Sequence, residues 1–389
     1  MWHTSWYNFA PRLGIAWQAN NRNNWITVLR VGGGVFFDTS NQVAIPAYFG
    51  LGFRFAQTYS QVSLPLTQSQ QTISTAIAAP YNNVHVFPSH LQPPYTNEWN
   101  ASLEQGLGQN NSFTISYVGS AGRRLNGEQE LSLRSLNPSF ETVFTATDTT
   151  SDYDALQAKF QRSVSKGLNA LASYTWSHSI DYGSNFAALP LTRGNSDFDV
   201  RNSFQGGLTW ELPQVRTSKV ASASINGWAL DGRLLARTGF PVTLLGNYLS
   251  DPATGNEYQT NVDLVPNRPI YLYGSQYPGG RSLNSSAFAY PSGSEPGNAP
   301  RNFARGFGES QVNFAVKRDF PVFERAHLLF RAEAFNVFNH PNFGYIDPTI
   351  GDATFGQALQ MLNQSLGTVA SQYQQGGPRS MQFALRLAF

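Results

Sequence analysis

Segments with a two-residue alternation of apolar and polar side chains recur from the beginning to the end of the chain, and they constrain the fold more than any other feature. In a β-strand, successive side chains point to opposite faces, so each such segment has one apolar and one polar face. Sustained helical periodicity is nearly absent. We therefore predict an all-β fold with eleven strands, at residues 10–18, 25–38, 96–107, 111–120, 152–164, 167–180, 201–212, 226–242, 310–320, 326–339 and 379–389.

The connections between these strands alternate in length. The short ones are residues 19–24, 108–110, 165–166, 213–225 and 321–325. The long ones are residues 39–95, 121–151, 181–200, 243–309 and 340–378. Short turns at one rim and long loops at the other are typical of outer-membrane barrels, in which the short turns are periplasmic. The alternation therefore predicts an antiparallel transmembrane β-barrel wall.

Charged side chains keep to one face of these strands. In 226–242, Leu230 and Leu234 lie on the face opposite Asp231 and Arg233. A charge facing lipid at the bilayer midplane costs about 2–4 kcal/mol, so this separation indicates a lipid-facing wall and a polar lumen. Two exceptions, Arg162 and Arg318, lie near short turns, where long side chains can reach the headgroups.

The amino-acid composition agrees with a membrane-spanning β-sheet and argues against a helical membrane protein and a nucleic-acid-binding protein. Only 13% of the residues are charged and 14% are aromatic, whereas about 25% charged residues are usual in soluble proteins. No apolar run approaches the ~20 residues of a membrane helix. The net charge of +2, without a basic run, argues against a nucleic-acid partner. The absence of cysteine fits an oxidising compartment.

The two ends of the sequence add further expectations. Leu385, Leu387 and Phe389 would share the apolar face of the last strand, which looks like the closing strand of a bacterial outer-membrane barrel. We expect these three residues to be the signal read by the barrel-assembly machinery. Residues 1–6 show neither a basic nor an apolar signal-peptide region. We therefore expect residues 1–389 to be the C-terminal part of a longer protein.

Residues 330–344, Phe-Arg-Ala-Glu-Ala-Phe-Asn-Val-Phe-Asn-His-Pro-Asn-Phe-Gly, form the most specific motif in the chain. They closely resemble a segment near the C-terminus of TonB-dependent outer-membrane receptors, most of all the Oar-like branch with its carboxypeptidase-regulatory-like domain. Residues 8–14 and 237–241 support the resemblance. Within the motif, Arg331 and Glu333 share the polar face and are expected to form an ion pair, and the asparagines favour a strand-to-turn transition.

The resemblance implies a 22-stranded barrel that binds a scarce nutrient outside and imports it with energy from the inner-membrane TonB complex. Eleven strands would be the C-terminal half of such a barrel. A signal peptide, the regulatory-like domain, a TonB box and a plug are not visible in this sequence. Contact with the TonB complex would therefore be made by a missing N-terminal part.

Several groups of residues contain the residue types of catalytic or metal-binding sites but lack the spacing that such sites need. Ser177, His178 and Asp181 are the residue types of a hydrolytic triad, yet neighbours in a strand point to opposite faces. Residues 195–199 and 251–257 contain oxygen donors without an EF-hand spacing, so we expect solvated loops there, with a structural calcium ion in an outer loop as the less favoured alternative. The six histidines show no metal-ligand spacing. We therefore expect no catalysis, no metal and no cofactor.

Three functions are compatible with the sequence. The leading one is TonB-dependent uptake of a siderophore, oligosaccharide or peptide across the outer membrane. A passive porin- or adhesin-like barrel is the second, and a secreted carbohydrate-binding β-protein is the third. We also expect the isolated chain to aggregate or to form an incomplete sheet, because unpaired strand edges are costly in lipid.

Overall fold

In a computed structural model, the described residues form one antiparallel sheet of eleven consecutive strands. The description covers residues 5–38, 62–72, 84–131, 142–184, 192–215, 222, 225–250, 257–292, 295–323, 326–365 and 375–389. The strands are β1 (Arg12–Arg22), β2 (Trp25–Phe37), β3 (Tyr95–Leu107), β4 (Asn111–Leu131), β5 (Thr142–Ser165), β6 (Leu168–Asp181), β7 (Asn202–Glu211), β8 (Trp228–Arg237), β9 (Glu309–Phe323), β10 (Ala326–Phe335) and β11 (Ser380–Ala388).

Each strand pairs with the next one along the chain, so the sheet is a simple meander. All eleven predicted strands are confirmed, but several of their boundaries differ, most of all at β4, β5 and the end of β8. The predicted long loop 121–151 is largely strand, because β4 and β5 continue as a paired hairpin to Leu131 and Thr142. The strand predicted to reach 242 ends at Arg237. Beyond it, Gly239 packs against the Gly306 backbone too closely for any Cβ atom, and Pro241 has no N–H for the ladder.

The registers of the ten pairings keep the apolar side chains on one face across the whole sheet. Leu208 lies opposite Gly232, which lies opposite Phe314. Phe314 in turn lies opposite Ala334, and Ala334 opposite Met381. A slip of one residue in any pairing would move a strand's apolar residues to the other face. The polar face carries the charged residues Arg30, Glu104, Lys159, Arg233 and Lys317.

The apolar face is exposed over most of its area. Its exposed large side chains include Leu13, Ile15, Trp17, Val31, Trp99, Leu103, Phe113, Ile115, Leu156, Trp176, Leu208, Leu234, Phe314, Met381, Phe383, Leu385 and Leu387. Soluble monomers rarely expose apolar patches beyond a few hundred Å². This face therefore requires an apolar environment, as the sequence predicted.

The height of the apolar face fits a bilayer. On β5, Asp154 and Arg162 bracket Leu156, Ala158 and Phe160 on this face. Eight residues of extended strand span about 27 Å. With the usual strand tilt of about 40° this corresponds to a band about 20 Å tall, close to the apolar band of outer-membrane barrels.

The sheet is open within the described residues. β1 and β11 are its two edges, and no pairing joins them. Two short strands extend it outside the meander: Val84–Val86 pairs with β5, and Gly194–Asn195 pairs with β6. The described helices are Gln68–Gln71 and Leu362–Ser365, with 3₁₀ turns at Pro278–Gly280 and Ser285–Ala287. No helix in the described residues has the length and apolar character needed to cross a membrane.

Two of the predicted long loops form a folded module with its own core. Within 243–309, Leu245–Ser250 pairs with Glu257–Asn261, Asp263–Leu264 with Phe288–Ala289, and Tyr271–Tyr273 with Arg281–Leu283, while Pro241–Val242 pairs with Ala304–Arg305. The core joins residues from both loops: Leu244, Val262, Leu283, Ala287, Phe288, Ala299, Ala304, Ile346, Ile350 and Phe355. We call residues 241–250, 257–292, 295–305 and 343–362 together the loop module.

Trp99 lies opposite Gly119 of β4 on the apolar face, and its indole ring leaves no space for a side chain at residue 119. A Cβ atom at residue 119 would lie 2.3–2.5 Å from three atoms of that ring. Replacing Gly119 by alanine is therefore expected to destabilise the folded sheet by about 1–3 kcal/mol, as overpacking does. Urea unfolding of the complete protein in lipid vesicles measures this change.

Gly14→Ala is the matched control, because a Cβ atom there meets nothing within 4 Å. Its unfolding midpoint should stay close to that of the parent. Equal midpoints for Gly119→Ala and Gly14→Ala would show that the indole ring does not need the glycine.

Candidate functional site

A cluster of charges lies on the polar face, at the centre of β8, β9 and β10. Asp231 accepts hydrogen bonds from Lys317 Nζ at 3.0 Å, from Arg331 Nη1 at 2.6 Å and from Thr209 Oγ1 at 2.8 Å. Arg331 Nη2 also donates to Glu333 Oε1 at 2.7 Å, which confirms the predicted ion pair. The sequence did not predict the contacts with Asp231, because they join different strands and depend on register.

This wall cluster borders a cavity of about 500 Å³. Polar side chains lining it include Asn169, Ser173, Gln205, Thr209 and Arg233. The charged groups remain 20–39% exposed, and exposed ion pairs add little stability. The cluster is thus a wetted, nearly charge-balanced wall that can hydrogen-bond water and polar solutes.

A second cluster of charges is buried and joins the C-terminal end of β6 to the loop module. Asp199 is 1% exposed and pairs with Arg305 and with Arg201, the latter at 3.0 Å. It also accepts from the backbone N–H of Ser179 at 2.7 Å and lies 3.2 Å from His178 Nδ1. Because Arg305 belongs to the loop module, these bonds tie the module to the sheet.

Arg301 makes a second attachment beside the first. Its guanidinium binds Asp181 at 2.7 Å and Asp197 at 2.8 Å, and Asn302 Nδ2 also donates to Asp197, at 2.6 Å. The prediction of a solvated loop at 195–199 is therefore wrong, because arginines from residues distant in sequence cover it. Of the other predicted oxygen-rich loop, residues 251–256 lie outside the described residues.

The residues of the suspected triad each bind a different group. Ser177 Oγ donates to the Val200 carbonyl at 2.7 Å, while Asp181 accepts from Arg301. His178 faces Asp199 and Arg201 instead. The three side chains therefore form no nucleophile–base arrangement, as the alternation of strand faces predicted. In the described part of the chain, no group of His, Asp or Glu side chains is arranged to hold a metal ion.

The pH dependence of the Asp199 attachment follows from its contacts. Burial alone raises the pKa of this carboxyl, but hydrogen bonds from Arg305, the Ser179 backbone and His178 outweigh burial and hold the pKa below its ordinary value. A lowered folded-state pKa stabilises the fold above the unfolded pKa of about 3.9, and this contribution is lost as the pH falls through the folded pKa.

We therefore expect the stability difference between the parent protein and Asp199→Asn to be constant from pH 5 upward and to shrink below about pH 4. Urea unfolding of the complete protein at pH 3, 4, 5 and 6 measures it. A difference that does not change between pH 5 and pH 3 would contradict the attachment.

The motif at 330–344 forms a strand-to-turn transition, as predicted. Asn336 adopts a positive φ of 47° and its side-chain amide donates to the carbonyls of His340 and Gly377, both at 2.8 Å. Asn342 is fully buried and accepts from the Ser310 backbone at 2.8 Å. The motif thus connects the beginning of the β10–β11 connection to Gly377, near its end, and to β9.

Of the expected assembly-signal residues, Leu385 and Leu387 lie exposed on the apolar face of β11, opposite Phe330 and Leu328. Phe389 follows the strand and is 98% exposed. Their role in assembly stays a prediction.

Comparisons with known proteins agree with this geometry. A family model described as an outer membrane beta barrel domain matches residues 1–382. The outer membrane transporter YddB from Escherichia coli has a similar fold, with a TM-score of 0.51 and 9% identity, over 98% of this chain and 40% of that one. The ferripyoverdine receptor of the outer membrane of Pseudomonas aeruginosa gives a TM-score of 0.44 and 9% identity, over 97% of this chain and 32% of that one.

The ferric-catecholate import receptor Fiu of E. coli gives a TM-score of 0.44 and 10% identity, over 97% of this chain and 34% of that one. This chain thus spans about a third to two fifths of the length of these proteins. No curated protein sequence matches it. With a family match over nearly its whole length and a sheet that has one apolar and one polar face, the chain belongs to the outer-membrane β-barrel family.

Proposed function

We propose that residues 1–389 are the C-terminal half of the barrel of a TonB-dependent receptor of the Oar-like branch, which imports a scarce nutrient across the outer membrane. The observation that carries this proposal is that the described residues form an open sheet of eleven strands with an apolar outer and a polar inner face. The fold that this chain shares with the larger transporter YddB supports the same proposal.

The strand directions support a missing half. Ten antiparallel pairings separate β1 from β11, so these two edges run in the same direction. Joining them directly would create a single parallel seam in an otherwise antiparallel wall. Bacterial outer-membrane barrels have an even number of strands, which avoids such a seam. Eleven further strands would close the sheet with antiparallel contacts only and give a 22-stranded barrel.

In this proposal each face has its own partner. Outer-membrane lipid covers the apolar face, and the barrel-assembly machinery reads Leu385, Leu387 and Phe389. The wall cluster around Asp231 lines the solute path, and the loop module belongs to the outer capture surface for a small-molecule, saccharide or peptide ligand. No residue does covalent chemistry. The TonB complex engages an N-terminal segment beyond these residues.

A conductance measurement on the complete protein in planar bilayers separates energised import from passive diffusion. A plugged 22-stranded barrel should show no steady conductance, and deletion of its plug should open a large channel. Steady conductance by the complete, untreated protein would instead identify a passive porin.

Dependence on TonB is tested by gene deletions. Growth should be compared on media that each supply one scarce nutrient. On at least one medium, deleting the receptor gene should slow growth as much as deleting the gene for TonB, and the double deletion should be no worse. Growth defects that add in the double deletion would contradict the proposal.

A further inference from the structure

A cavity of about 730 Å³ lies where the apolar face meets the loop module. On the strand side it is lined by Tyr174, Phe204 and Ala236, which stand opposite one another on the apolar face of β6, β7 and β8. On the module side it is lined by Tyr273 and Arg281. The cavity is therefore continuous with the lipid-facing surface, at the rim that carries the long loops.

The walls of this cavity are positively charged. Among its described lining residues are four arginines and one glutamate. Three of the arginines, at 201, 237 and 305, pair with carboxylates. Arg281 differs, because within the described residues it forms no ion pair and donates only to the carbonyls of Arg305, at 3.1 Å, and Gly306, at 2.7 Å.

Arg281 is also held in a fixed position. Its guanidinium lies 4.6 Å from the ring centre of Tyr271 and 5.1 Å from that of Phe307. Both carbonyl bonds use Nη2, so Nη1 and Nε are left, and each can donate a single hydrogen bond to an anion. A guanidinium fixed by packing and hydrogen bonds loses little entropy on binding, and its charged N–H groups form strong hydrogen bonds with phosphate oxygens.

Glycines complete the polar lining. Gly279, Gly280, Gly306 and Gly308 border the cavity, and a Cβ atom on Gly280 would meet nothing within 4 Å. The peptide groups of Gly280 and Gly306 already form hydrogen bonds within the protein, so these glycines contribute space for a saccharide. The nearby rings of Tyr273 and Phe307 offer flat apolar faces. An apolar wall, a fixed cation, a stretch of lining without bulky side chains and aromatic rings together match a phosphorylated saccharide that carries acyl chains.

We propose that this cavity binds the phosphorylated saccharide headgroup of a glycolipid in the outer leaflet, with the phosphate at Arg281 and an acyl chain along Phe204 and Ala236. The continuity of the cavity with the apolar face favours a membrane lipid over a soluble anion. Basic pockets at the membrane surface bind anionic headgroups in the same way. This site requires the membrane orientation of the family and not the transport activity proposed above.

The test is binding of a bisphosphorylated lipid A to the complete protein in detergent, measured by native mass spectrometry. Arg281→Gln should weaken binding at least tenfold, whereas Arg268→Gln should stay within twofold of the parent. Arg268 is exposed in the same module and does not line the cavity. Ala236→Phe, which fills the apolar wall and keeps all the arginines, should also weaken binding at least tenfold.

The ligand series identifies the source of the anion. Dephosphorylated lipid A should bind at least tenfold more weakly than the bisphosphate, and inorganic phosphate should not compete at 1:1 with the lipid. Unchanged binding by folded Arg281→Gln would overturn the proposal. Equal binding of both lipids would overturn the phosphate contact, and effective competition by inorganic phosphate would overturn the assignment to a lipid. Resistance to cold detergent confirms that each variant is folded.

Discussion

Replacing Ile115 by arginine is expected to lower the free energy of unfolding by about 2–4 kcal/mol. Ile115 lies on the apolar face of β4, paired between Leu103 on β3 and Ala158 on β5. A guanidinium there would face the hydrocarbon far from either interface. The cost is that of placing an unpaired charge in lipid, which falls towards zero near the headgroups.

Ser116→Arg is the matched control. Ser116 is the next residue on the same strand and lies on the polar face, opposite Ser102 and Gln157. The same side chain at nearly the same depth should there change the free energy of unfolding by less than about 1 kcal/mol, because an exposed charge on a wetted wall costs little. Urea unfolding of the complete protein in lipid vesicles measures both variants. Equal losses would show that β4 does not separate lipid from water.

The second large effect concerns the buried ion pair of Arg237 and Glu309. Arg237 Nε lies 2.7 Å from Glu309 Oε2, and the side chains are 10% and 0% exposed. Gln375 also donates to the same oxygen, at 3.3 Å. Arg237→Met leaves a fully buried carboxylate without its counter-charge and is expected to cost about 3–5 kcal/mol.

A double-mutant cycle separates the pair from its surroundings. Glu309→Met alone should also lower the free energy of unfolding, because it leaves the buried guanidinium of Arg237 without its counter-charge. The double variant should cost less than Arg237→Met alone, since two apolar side chains of similar volume remove both charges together. Additive losses in guanidinium unfolding would mean that the two charges do not depend on each other.

The sheet could be predicted from the sequence because its signal is local. Alternation within a single strand determines which residues share a face, and the position of short turns determines which strands are neighbours. The ion pair of Arg331 and Glu333 was predictable for the same reason, since residues two apart in a strand share a face. Arg318, the predicted exception, lies on the apolar face with its guanidinium over the rings of Trp228 and Phe320.

The clusters and the loop module could not be predicted, because their contacts join residues distant in sequence. Arg305 reaches Asp199 across 106 residues and Arg301 reaches Asp181 across 120. Asp231 meets Lys317 and Arg331 only once the registers of β8, β9 and β10 are known. The module's short strands are two to six residues long and interrupted by glycine and proline, so their alternation is too brief to recognise.

The central claim is that alternate side chains of each strand meet lipid. The chain has no cysteine, so single cysteines can be placed without background. A fluorophore should be attached at residue 312, 313, 314, 316 or 317 of β9 in the complete protein in vesicles that contain nitroxide-labelled phospholipid. Strong quenching at 312, 314 and 316, with weak quenching at 313 and 317, is the expected result. The reverse pattern, or equal quenching at all five positions, would contradict the claim.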